Sequence, residues 1–285
     1  MAEDKVFLGS LRLKNQIAKE FLSEFFGTFL LVLVCDCSIA VQVLGKSGHV
    51  DLVAVGIATG MALMLCFYSG AKLSGGHVNP AVTLSLAAIG KFPLWKCGHY
   101  FAAQYLGGFF ATAIAYSNHY SAITMFDGGV RSAFFQNTST AGIFVSHPTT
   151  YLPWSGVVID QILCVGILMW GILCIVDHTN LNTPKPLIPI SLFVLLAGLI
   201  MAFGLNCGPA LNPARDVPAR IFAYLIGYGS EVFNPQGGLY WLVGGLIAPH
   251  LGGIIGSYIY LLAYGLHVEP ELPTYSKCTR VAEVN

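Results

Sequence analysis

Apolar residues run in six long stretches, at about 21–44, 52–72, 97–117, 156–176, 187–206 and 239–264, and most charged residues fall between them. Each stretch is close to the roughly 20 residues a helix needs to cross a hydrocarbon core of about 30 Å. The pattern therefore predicts six transmembrane helices. Two shorter apolar segments remain, about 79–90 and 212–226. At about 1.5 Å per residue, Pro80 to Gly90 make roughly 16 Å of helix, enough to enter a bilayer and not to cross it. Helix-breaking and polar residues lead into each one: GGHVNPAVT from Gly75 to Thr83, and CGPALNPARD from Cys207 to Asp216.

The two Asn-Pro-Ala triplets belong to a repeat. Asn79 and Asn212 lie 133 residues apart (212 − 79), and Glu24 and Gln161 lie 137 apart (161 − 24). Each pair occupies the same place in a block of three spans with a half-helix before the third. Three spans per block give the two blocks opposite topology, and inverted repeats with broken helices meeting at the midplane describe a transport fold. The expected organisation is an N-terminal segment 1–19, a channel domain 20–266 made of repeats 20–117 and 156–266 joined by a loop 118–155, and a tail 267–285.

Composition agrees: of 285 residues 55% are hydrophobic and 10% charged, with a mean hydropathy of +0.69, against about 25% charged in soluble domains. Fourteen basic and fourteen acidic residues cancel, so no basic surface argues for nucleic acid. Lys5, Arg12, Lys14 and Lys19 precede the first apolar run, which reads as an uncleaved insertion signal. The N-terminal segment, Lys91, Lys96, Lys185, Lys277 and Arg280 share one side of a six-span topology, predicting cytoplasmic termini. The opposite side receives Asn137-Thr138-Ser139, a candidate glycosylation acceptor. Cysteines sit mostly in apolar runs without metal-ligand or CxxC spacing, so neither a metal nor another cofactor is expected.

Asn before Pro is a helix start: the Asn oxygen caps the first turn, and Pro at the next position loses no intrahelical bond. The amide nitrogens of Asn79 and Asn212 then keep two donors each, expected to face a cavity. The preceding residues are poor helix formers expected to run extended, with the carbonyls of Gly75, Gly76, His77, Gly208 and Ala210 as acceptors along a pore. Acceptors beside donors suit a hydroxyl-bearing neutral solute. Two half-helix N-termini aimed at one point, with Arg215 three residues beyond Asn212, oppose cations and protons.

These loops resemble the two signatures of the major intrinsic proteins, the aquaporin superfamily, and Glu24 to Phe29 resembles the family's opening motif. The resemblance, over about residues 20–266, implies an all-α membrane protein of aquaporin-like fold: six transmembrane helices plus two half-spanning helices in an inverted repeat, assembled as a homotetramer. Asp216 after the arginine, Arg220 four later, the long loops and Leu246 resemble the glycerol-conducting branch, although Gly245 stands where that branch usually has proline. By similarity, Thr59, Ile200, Pro209 and Arg215 form the outer selectivity filter, without the aromatics typical of glycerol facilitators or the histidine of strict water channels. The resemblance implies a passive, non-enzymatic channel for glycerol, water and related small neutral solutes, urea among the candidates, in the plasma membrane. A water-selective channel and an ion-coupled transporter are the alternatives.

Several residues carry two readings. Asp36, unexpected in mid-span, is either hydrogen-bonded between helices or a protonation site. His77 either offers its carbonyl and packs its ring, or titrates. Glu24, by resemblance, orients the neighbouring pore loop. Gly107-Gly108 and Gly252 to Gly256 supply close helix contacts. Glu24 and Asp36 are the span acids weighed as coupling-ion ligands.

Overall fold

The computed structural model describes residue 9 and residues 11–45, 50–208 and 210–268. Most of the two expected flanking segments, 1–19 and 267–285, lies outside the described residues. Eight helices carry the architecture: α1 (Gln16–Leu44), α2 (Leu52–Ser74), α3 (Pro80–Ala88), α4 (Cys97–Asp127), α5 (Trp154–Val176), α6 (Ile188–Cys207), α7 (Pro213–Ala223) and α8 (Tyr240–Gly265). No strand occurs among the described residues. Among the described residues, five helices, namely α1, α2, α5, α6 with its 3₁₀ lead-in and α8, are long and apolar enough to span a membrane. At 31 residues, α4 is about 46 Å long. It carries Gln104, Ser117, Asn118 and His119 among its apolar positions. It runs ten residues past the span expected to end at 117, so the connection to α5 begins after Asp127 rather than at residue 118.

Local chemistry sets the ends. Asn15 caps α1 by accepting from Ala18 N–H at 3.2 Å, and Asp51 caps α2 by accepting from Val53 and Ala54. Gly75 closes α2 in the left-handed region, at φ 89°. Large apolar side chains face outward, including Phe26, Met61, Leu65, Leu163, Val194 and Leu205, the surface lipid requires and water penalises.

The packing follows the repeat. Helix α1 lies against α2 and α4, α5 lies against α6 and α8, and α2 against α6 joins the halves. The half-helices cross over: α3, from the first repeat, rests on α8, and α7, from the second, rests on α4. Glycines permit both contacts. A Cβ on Gly108 would collide with the Ala214 carbonyl, and one on Gly253 with the Ser85 hydroxyl. Filling either site should cost about 1–3 kcal/mol in overpacking.

Candidate functional site

The two Asn-Pro-Ala loops meet at the centre of the bundle. Asn79 Oδ1 accepts from Ala81 N–H and Asn212 Oδ1 from Ala214 N–H, both at 2.9 Å, with Pro80 and Pro213 in the first helical turn. One amide hydrogen of each asparagine is then spent across the repeat: Asn79 Nδ2 donates to Leu211 O at 2.9 Å, and Asn212 Nδ2 to Val78 O at 2.8 Å. One donor per asparagine stays free, not the two expected from the sequence.

The loops also turn instead of running extended. Gly75, Gly76 and Gly208 have φ of 89°, 67° and 73°, and Val78 and Leu211 have φ of 44° and 37°. For valine and leucine these values carry strain of order 1–3 kcal/mol. Val78 and Leu211 are counterparts, 133 residues apart (211 − 78), and each supplies the carbonyl that the opposite asparagine bonds. The left-handed turn aims those carbonyls across the interface.

The first loop is held by Glu24. Its carboxylate accepts from the Ser74 hydroxyl at 2.6 Å, His77 N–H at 3.0 Å, Val78 N–H at 2.7 Å and Gln104 Nε2 at 2.8 Å. The His77 ring packs on Phe92 and Tyr100 and bonds Thr83 Oγ1 at 3.1 Å. Thr83 itself donates to Asn79 O, so the imidazole is the donor. Among the described residues, no protein donor bonds the carbonyls of Gly75, Gly76 and His77. The second loop differs, because Gly208 O and Ala210 O accept the N–H groups of Ala210 and Asn212 in local turns. Gln161, the counterpart of Glu24, donates to Asp160 at 2.9 Å, and its Oε1 has no partner among the described residues.

Two cavities open from this centre. One, of about 350 Å³, is bordered by Thr59, Ile200, Asn79, Asn212, Ala210, the Gly75 to His77 loop and Arg215, and continues between Phe67, Leu86, Ile172 and Ile188. The other, of about 360 Å³, is bordered by Leu52, Gly142, His147, Gly204, Gly208 and again Arg215. Among the described residues, Arg215 is the one common to both sets, so its side chain stands at the junction between two chambers. Thr59 adds a buried hydroxyl with no partner among the described residues, and Ile200 an apolar face. Pro209, the remaining expected filter position, lies outside the described residues.

Asp216 and Arg220 border neither cavity; they anchor the 128–153 connection at Ser146. Asp216 accepts from Ser146 N–H at 2.8 Å, Ser146 Oγ at 2.6 Å and Arg220 Nε at 2.6 Å. Arg220 also donates to the carbonyls of Ser146 and Val232 and stacks on Tyr240 at 5.2 Å. Both ions are completely buried. A Cβ at Gly245 would come within 2.5 Å of Asp216 Oδ2, so a bare backbone at 245 leaves room for this carboxylate. Leu246 is half-buried and borders neither cavity. Asn137 is exposed in the 128–153 connection. No group of three His, Cys, Asp or Glu side chains is placed to hold a metal ion among the described residues.

The family model for the major intrinsic proteins matches residues 12–260. The chain belongs to the major intrinsic protein family. It is 37% identical over 266 residues to aquaporin-10 of Milnesium tardigradum, covering 90% of this chain but 65% of that relative's length. It is 35% identical over 264 residues to human aquaporin-9, covering 92% of this chain and 88% of the relative. Among solved structures, the aquaglyceroporin of Plasmodium falciparum superposes with a TM-score of 0.75 at 28% identity, covering 86% of this chain and 95% of the other. The chain is thus a multi-pass membrane protein of a channel family.

Two features escaped the sequence reading. Asp160 is a third acid within the spans, buried near the start of α5 and bonded by Asn206 Nδ2 at 2.9 Å as well as by Gln161; an acid inside an apolar run was the available signal. The return of Ser146 to Asp216 had no local signal, because the two are 70 residues apart.

Proposed function

We propose that the chain is a passive channel for glycerol and other small neutral solutes, urea among them, together with water, and that it excludes protons and ions. The observation that carries the reading is the amphipathic wall of the cavity between Asn79, Asn212 and Ile200. Its border combines polar groups, namely the asparagines, the loop from Gly75 to His77, Thr59 and Arg215, with the apolar side chains of Leu192, Leu196 and Ile200. A polyol presents the same two kinds of group, hydroxyls along one edge and C–H groups along the other. Water would use the polar groups alone, and Ile200 lacks the ring donor by which a histidine would favour water. The names of the similar proteins, aquaporins and an aquaglyceroporin, support the same solutes.

In this reading, Thr59, Ile200, Pro209 and Arg215 form the selective constriction, and Glu24 holds the first loop in shape. The protein sits in the plasma membrane as a homotetramer with one pore per subunit and both termini in the cytoplasm, and the exposed Asn137 carries glycan on the outer side. Swelling of proteoliposomes in an inward glycerol gradient tests the central point. Swelling faster than empty vesicles, linear in the gradient and independent of Na⁺ and H⁺ gradients, is expected; a rate equal to that of empty vesicles refutes it.

A further inference from the structure

Asp36 is fully buried in the middle of α1, where an acid in a membrane span is rare and tied to a partner. Its Oδ2 accepts from the Thr112 hydroxyl at 3.0 Å, while Oδ1 has no hydrogen bond among the described residues and lies 3.7 Å from Arg215 Nε. Arg215 mirrors this: among the described residues Nε and Nη1 have no acceptor, and Nη2 reaches only the Ile143 carbonyl, at 3.5 Å. The other nearby carboxylate, Asp216, lies 3.8 Å from Arg215 Nη1 but is occupied by Arg220 and Ser146. Two guanidiniums and two carboxylates therefore share one buried cluster and sort into pairs, Asp216 with Arg220 and Asp36 with Arg215. Cys35, its neighbour in sequence, borders the pore cavity and Asp36 does not, so the carboxylate meets the arginine from behind the wall.

We infer that Asp36 is the counter-ion of the constriction arginine, a positioning residue that fixes the guanidinium and sets how much positive field it projects into the pore. The inference rests on the proposed reading of Arg215 as the constriction. An acid merely accommodated among small neighbours would leave Oδ1 unpaired whatever stood at 215. As a counter-ion, Asp36 becomes a lone negative charge beside the pore when the arginine is removed, and that charge attracts cations. The loss of cation exclusion in an arginine variant then depends on Asp36 and not only on the missing positive charge.

The test uses full-length protein in liposomes, as wild type, Arg215→Ala, Asp36→Asn and the double variant. K⁺ flux and glycerol swelling are read on the same vesicles. Arg215→Ala should raise K⁺ flux by about tenfold or more, and the double variant should return it to within about twofold of wild type. Asp36→Asn alone should shift ion preference toward Cl⁻, since its arginine is no longer balanced. Equal leak in Arg215→Ala and the double variant, no leak in Arg215→Ala, or wild-type ion preference in Asp36→Asn would each overturn the inference. Should a single variant fail to reach the membrane, recovery in the double variant supports the pairing and continued loss refutes it. Wild-type vesicles that do not swell in glycerol count against the channel reading alone.

Discussion

Replacing Asp216 with Asn preserves shape while removing one charge from a completely buried pair. Asp216 loses the charge-assisted bonds from Arg220 Nε at 2.6 Å and Nη2 at 3.0 Å, and one of its two oxygens becomes an NH₂ that faces donors. Arg220 keeps its bonds to two carbonyls but is left without a counter-charge at zero exposure. Breaking a buried pair from one side costs about 3–5 kcal/mol. In a protein of this size each kcal/mol shifts Tm by about 2–4 °C, giving a drop of about 10 °C. Thermal unfolding of detergent-solubilised protein, followed by intrinsic fluorescence, measures it. The same substitution loosens Ser146 and so deforms the outer chamber, and glycerol swelling should fall with Tm. A Tm within about 2 °C of wild type would refute the claim that this pair anchors the outer loop, because a drop that small is worth less than one ordinary hydrogen bond.

Other expectations follow from the same geometry. Glu24→Gln should cost about 2–3 kcal/mol, since one oxygen that accepts from Val78 and Gln104 becomes a donor; lowered Tm with slowed glycerol swelling is the expected pair of readouts, and wild-type values in both would argue that the loop holds its shape unaided. Ile200→His places a ring donor against the apolar side of the constriction and should lower the glycerol-to-water permeability ratio in stopped-flow measurements; an unchanged ratio would remove Ile200 from the filter. His147, in the outer chamber, is pushed down to about 4 by burial, then by the Arg220 guanidinium, against an opposing pull from Asp216. Its unfolded form titrates near 6.5, so its contribution is complete above that pH and is lost as pH falls from about 6.5 to 4, by up to about 3 kcal/mol before solvent screening. A His147→Gln variant should show a smaller Tm loss over that window than wild type, and identical pH profiles would sink the assignment.

Much of this arrangement is legible in the chain because it is written locally. A 20-residue apolar run, an asparagine before a proline and a glycine after a helix each act within a few residues, so the spans, the caps and the half-helices follow from short-range chemistry. What the pattern hides are contacts across 70 to 134 residues, such as Ser146 on Asp216 and Asn212 on Val78. The second of these explains why one amide hydrogen, not two, is left on each asparagine, and why Val78 and Leu211 accept a backbone geometry that their side chains disfavour. Helix α4 outran its expected end because helix formation tolerates Asn118, His119 and Ser121, whereas apolar counting stops at them. Asp160 was overlooked inside an apolar run that reads well as a span with or without it.

The crossing of the half-helices has a consequence for biogenesis. Segment α3 emerges early, yet the helix it rests on, α8, is the last to be synthesised. Until then α3 lacks the helix it rests on, although Glu24 of α1 already holds its turned loop. A ribosome paused before Tyr240 has already made the residues that border both cavities, the last being Arg215, so what the final helix adds is the support that fixes the first half-helix in place.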